Sequence, residues 1–244
     1  MILSKSTYPK QLTFSLIIIY LIIVRGLDEI STYLVTPNLK YETNPVVRVW
    51  QGGWFELLLM DAFTTTYFSL SLYFYFFRFT PLLGLQRGKF FPSMLFYYFY
   101  RESHFSWHKF LYTFPKNWIA ILITIGCVKA YALMYFSLFA VLNNIGFYYY
   151  LSSIKGFWYE LFVLFRGPWR MLTVIDMIIL YGVIIWFWYS EYQKYRKLSV
   201  NIQITQLPIP KPYNWFDYMY ITIAIAWNLI RMIILAPDFF REYF

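Results

Sequence analysis

From Gln11 to Val24 the chain runs fourteen residues without a charge, and four further segments of the same character follow. A helix that crosses lipid needs about 20 predominantly apolar residues. Leu12–Leu34, Trp54–Phe77, Trp118–Leu142, Met171–Trp188 and Trp215–Leu235 meet that requirement. Their apolar residues are continuous rather than alternating. This points to helices that satisfy their own backbone hydrogen bonds and argues against a closed barrel. The expected fold is therefore all-α: a polytopic transmembrane helical bundle forming one integral membrane domain over residues 1–244. It has five spanning helices plus interfacial amphipathic helices.

A sixth segment, Ile145–Phe165, is the alternative span. Ser152, Ser153, Lys155, Gly156 and Glu160 interrupt it, so it reads as a helix lying on the interface or packed shallowly on the bundle. The stretch Phe90–Phe114 is too short in its apolar part to span and reads as a second interfacial helix. Residues Gln206–Pro212 carry three prolines and read as an extended entry to the last helix. The first segment is read as a retained helix rather than a cleaved leader. Arg25, Asp28 and Glu29 follow its apolar run, with no small-residue cleavage site.

Composition narrows the function classes. Hydrophobic residues make up 60% of the chain and charged residues 14%, which is unlike a soluble enzyme or a disordered chain. One cysteine, Cys127, excludes an intrachain disulfide and any multi-cysteine metal site. The net charge of +9 lies mainly in the connections between apolar segments. There it sets orientation and meets anionic lipid, and no nucleic-acid motif accompanies it. With five spans, twelve Lys and Arg fall on the side of the N-terminus and six on the other. The positive-inside rule then places the N-terminus inside, in a plasma (inner) membrane or, as the alternative, an organellar inner membrane. The expected partners are the lipid bilayer and other membrane subunits or a second copy of the chain.

Ionisable groups within these segments are costly in lipid and mark places where a partner or a cavity is required. Arg25, Asp28, Glu29 and Thr32 recur at offsets of three, four and seven, which share one helix face. Asp61, Thr64 and Thr65 form a second polar face. Lys129 sits near the middle of the third segment, Asp176 in the fourth, and Asn228 and Arg231 in the fifth. At 1.5 Å per residue, Asp61 would lie about 10 Å, Asp176 about 8 Å and Arg231 about 6 Å below the outer surface. The connection holding Glu42 and Asn44 carries two prolines and is read as a stiff lid above these groups. In this reading Asp28 and Asp61 are ligands, while Lys129 and Arg231 balance charge.

Asp28-x-x-Ser31-Thr32 in a first helix, then Glu42-x-Asn44-Pro45 before a second, resembles a group of small uncharacterised prokaryotic membrane proteins. The resemblance covers roughly Arg25 to Ser69, a fifth of the chain. It implies no activity, only that Asp28, Thr32, Glu42, Asn44 and Asp61 act together.

His104 and His108 stand four apart and read as headgroup contacts rather than metal ligands; Cys127 reads as a packing residue. No phosphate loop or catalytic triad can be assembled, and no cofactor is required. The expected function is a non-enzymatic membrane protein with an acidic outer-leaflet cavity that binds or conducts a cation, proton or small polar solute. A structural subunit of a larger membrane complex is the alternative. A metal-dependent intramembrane hydrolase built on Asp28, Glu42 and Asp61 is the third reading.

Overall fold

The computed structural model describes residues 9–42, 44–78, 91–100, 108, 112–113, 115, 117–165, 171–201, 215 and 218–230. Among them every regular element is helical. They are α1 (Lys10–Val35), α2 (Pro45–Arg48), α3 (Trp54–Tyr73), α4 (Phe91–Tyr100), α5 (Trp118–Leu151), α6 (Phe157–Phe165), α7 (Met171–Asn201) and α8 (Tyr218–Ile230). A π-helical turn, Phe74–Arg78, continues α3. Each of the five long apolar segments therefore contains a helix. Among the described residues one helix, α5, is long and apolar enough to cross a membrane by length and composition.

The helix ends follow from local chemistry. Pro9 precedes α1, and Pro37 stops it by disfavouring helical backbone at Thr36. Gly53 opens α3, where the Glu56 carboxylate reaches back to accept from the Gly53 N–H at 2.8 Å. Asn117 caps α5, accepting from the Ala120 N–H at 3.4 Å. The α5 helix runs on to Leu151 and stops where Ser153 adopts a positive φ of 54°.

Helix α5 is the axis of the molecule: α1, α3, α4, α6 and α7 all pack on it. Its small residues permit close approach. A Cβ at Gly126 would lie 2.0 Å from the Ser71 hydroxyl oxygen, so α3 and α5 meet at that point in a way only glycine allows. Leu21, Phe68, Leu72, Phe74, Ile123 and Cys127 fill the core, joined by Tyr220 and Ala224 of α8. The Ser71 hydroxyl faces the Tyr220 hydroxyl at 3.1 Å within that core. The outward faces are apolar as well: Ile22, Ile30, Ile178 and Ile185 are all more than half exposed.

One sequence expectation changes. The segment Ile145–Phe165 is not one helix. Its first part prolongs α5, and residues 152–156 turn the chain back so that α6 lies against α5, with Phe162 stacked on Phe147 at 5.1 Å. The interruption expected at Ser152–Gly156 is real, but it marks a reversal. Helix α4, within the stretch read as interfacial, buries Met94 and Tyr98 completely against Ala120, with Trp188 packed beside them. The Asn117 side chain donates to the Tyr98 carbonyl at 3.0 Å, fixing α4 to the start of α5.

Candidate site: an arginine-centred acidic cavity

The face predicted on α1 exists, and its centre is the arginine. Arg25 Nη1 donates to Asp28 Oδ2 at 2.5 Å and to the Ser137 hydroxyl at 2.8 Å. Arg25 Nη2 donates to Glu29 Oε1 at 3.0 Å, and Nε donates to Asp61 Oδ1 at 2.7 Å. A second, shorter contact joins Nη2 to the same Asp61 oxygen. One guanidinium thus ties α1 to α3 and α5. The four charged side chains are only 14–17% exposed. Arginine suits this position because its planar donor fork addresses several carboxylates at once.

Three carboxylates share one cation, so the cluster is formally acidic. It borders a cavity of about 210 Å³ at the end of the bundle where α1 finishes and α3 begins. Asp28, Glu29 and Thr32 line it from α1, and Ala140, Asn143, Asn144 and Phe147 from α5. Tyr41, Glu42 and Asn44 line it from the connection. Asp28, Glu29, Thr32, Glu42 and Asn44 therefore line one cavity. Asp61 joins them through Arg25.

The connecting segment is held in place. Trp54 Nε1 donates to the Pro37 carbonyl at 2.7 Å, and the Tyr33 and Trp54 rings meet edge to face. Glu42 Oε1 accepts from the Asn44 N–H at 2.8 Å. The Asn44 side chain accepts from the Val46 N–H at 3.0 Å, capping α2 with Pro45 in the first helical position. Asn44 thus builds the rim while it lines the cavity. Below it, Asn144 Nδ2 donates to the hydroxyls of Ser31 at 2.9 Å and Thr32 at 3.0 Å, cross-linking α1 and α5.

Other predicted members lie elsewhere. The Thr64 hydroxyl donates to the Met60 carbonyl of its own helix at 2.8 Å, and the Thr65 hydroxyl is buried without a hydrogen-bond partner among the described residues. Lys129 Nζ donates to Asn228 Oδ1 at 3.1 Å, and Asn228 in turn donates to the Tyr67 hydroxyl. It serves the α5–α8 contact and does not line the cavity. Asp176 is exposed on α7, away from the cavity lining. Arg231 and His104 fall outside the described residues, and His108 is exposed. Arg25, rather than Lys129, is the cation placed among the acids.

Ser137, Asn143 and Asn144 belong to the site although the sequence reading did not assign them to it, while Arg25, expected on the same face as the acids, is its centre. The signal for the asparagines was present: two adjacent amides near the end of an apolar segment. A second polar cluster was also missed. Glu191, 2% exposed, accepts from the Tyr75 hydroxyl, while Lys194 Nζ lies 2.6 Å from Glu191 Oε1 and also contacts the Tyr75 hydroxyl.

Among the described residues no three His, Cys, Asp or Glu side chains are grouped as a metal would require. Asp28 and Glu29 face a guanidinium instead. No family model, curated protein or solved structure matches this chain.

Proposed function

We propose that the chain is a multi-pass membrane protein with five spans and its N-terminus inside, and that its outer-leaflet cavity binds a small polar or cationic solute for recognition or passage. The observation that carries the reading is the Arg25 cluster. Carboxylates from two helices, only about one-sixth exposed, converge on one cation beside a cavity with room for several waters. Groups so costly to place in lipid are retained where a binding or conduction site needs them.

Two further observations support the membrane setting. The exposed faces of α1 and α7 present isoleucine after isoleucine, an area of apolar surface that soluble monomers rarely leave uncovered. Helix α6 has nine residues, about 13 Å of rise, which is too short for a sixth span. This supports the reading of five spans, in which the excess of basic residues on the N-terminal side goes with a cavity beneath the outer leaflet.

The test is ligand-dependent thermal stabilisation of the purified protein in detergent, with sodium, calcium, choline, ethanolamine and glycerol as the panel. A ligand that binds only the folded state raises its stability by mass action. At least one member is expected to stabilise the wild type and to lose that effect in D28N/D61N. Because that variant alters Arg25's partners, A140F, which fills the cavity without touching a charge, is the companion and should lose the effect too. Stabilisation unchanged in both variants, or absent throughout the panel, would overturn the reading.

A further inference from the structure

The lining of the cavity discriminates among the solutes that an acidic site could take. Asp28, Glu29 and Asp61 already direct oxygens at Arg25. A bare divalent ion needs direct oxygen ligands and would have to expel a guanidinium that is bonded to three carboxylates and a hydroxyl. An organic cation of single charge can lie beside those pairs without displacing it. The space, about 210 Å³, also far exceeds what an ion needs. An anion meets the formal acid excess of the floor, increased by Glu42 at the rim.

The upper wall is aromatic. Tyr41 and Phe147 both line the cavity and meet edge to face with centroids 5.4 Å apart. Lys40 Nζ lies 5.4 Å from the centre of the Tyr41 ring, so this ring already receives an ammonium group. The protein's own cations thus use both kinds of surface: a guanidinium among the carboxylates and an ammonium over the tyrosine. Carboxylates combined with aromatic faces are the chemistry that recognises an organic cation, because its charge and its carbon surface are satisfied together.

Resting on the binding reading above, we propose that the ligand is a small organic ammonium. Its charged head faces Asp28, Glu29 and Glu42, and its carbon body lies against Tyr41 and Phe147. Arg25 then acts as a tethered cation that neutralises part of the floor while the cavity is empty.

The experiment is equilibrium binding of radiolabelled choline to the purified full-length protein in detergent. It is competed by tetramethylammonium, by 3,3-dimethylbutanol (the uncharged carbon analogue of choline) and by calcium. Choline and tetramethylammonium should compete for one saturable site, with 3,3-dimethylbutanol at least roughly tenfold weaker. Y41A should weaken choline binding roughly threefold to tenfold, the range for losing one ring against the methyl groups that carry choline's charge. E42Q should weaken choline and leave 3,3-dimethylbutanol unchanged. Equal competition by the uncharged analogue, or displacement by calcium at lower concentration than by tetramethylammonium, would overturn the ammonium assignment. So would the absence of choline binding while another solute gives stabilisation that depends on Asp28, and the binding reading would then survive. Absence of any ligand that responds to D28N/D61N overturns both.

Discussion

The two ends of the bundle handle buried charge in opposite ways. At one end Glu191 is buried and, among the described residues, meets one tyrosine hydroxyl and one half-exposed lysine, so acid and base stand one to one. At the other end three carboxylates share Arg25, the balance is formally negative, and a cavity adjoins them. A one-to-one pair can hold helices together. An acidic cluster beside open space exceeds what helix packing requires. That contrast separates a fastening from a candidate site more clearly than the presence of buried charge does.

The comparison can be broken most forcefully at Arg25. R25M should destabilise the protein by about 3–5 kcal/mol, because it leaves three partly buried carboxylates without their cation. Thermal unfolding in detergent reads this, and R25K should recover only part of the loss. A small effect would mean that the acids are solvated independently, and the contrast between the ends would lose its basis.

At the Glu191 end, E191Q should cost less, about 1–3 kcal/mol. The amide can still accept from Tyr75, and Lys194, half exposed, can turn to water. Should E191Q prove more damaging than R25M, the order of the two ends is reversed.

The seam between the ends is the α3–α5 contact. G126A should cost about 1–3 kcal/mol by forcing the helices apart. Adding S71G should recover part of that loss by removing the atoms a new methyl would meet. A double-mutant cycle measures the coupling, and strict additivity would show that the two residues do not touch.

The smallest effect is expected from N144A, which removes the amide that bonds Ser31 and Thr32. Interhelical hydrogen bonds in membrane bundles average about 0.6 kcal/mol each, so a loss of about 1 kcal/mol is expected. A larger loss would show that Asn144 shapes the cavity as well as joining α1 to α5.

Much of this was legible in the sequence because it is periodic. The offsets joining Arg25, Asp28, Glu29 and Thr32 are a property of any helix, and the apolar runs located the helices. Prolines and paired glycines marked where α1 ends and α3 begins. A pair of Arg25 with Asp28 or Glu29 was legible from those offsets, but that Arg25 also serves Asp61 and that Lys129 stands apart was not. Lys129 looked central by depth, but depth along a helix says nothing about azimuth, and Lys129 faces α8 while Arg25 faces α3 and α5. Asp176 was grouped with the site for the same reason and lies on an exposed face. The segment after Leu142 was misdivided because its polar residues were read as interrupting a new helix. Asn143 and Asn144 instead belong to α5, where they face α1 and the cavity. Glu191 escaped notice because it lies beyond the apolar run of its helix, where a charge looks ordinary.

The central claim is that the carboxylates border a water-filled, electronegative cavity open to the exterior. Thiol labelling at Ala140 tests it most directly, since this residue lines the cavity and Cys127 is fully buried and silent. The rate for A140C is compared with that for S152C, an exposed position on the same end of α5. The reagents are cationic trimethylammonium-ethyl and anionic sulfonatoethyl methanethiosulfonate, applied from outside sealed vesicles. A cleft lined by one sign of charge concentrates its counter-ions roughly tenfold or more. The account predicts that A140C reacts, and that its preference for the cationic reagent exceeds that of S152C by at least this factor. An A140C thiol that stays unmodified, or that shows the same preference as S152C, would contradict it.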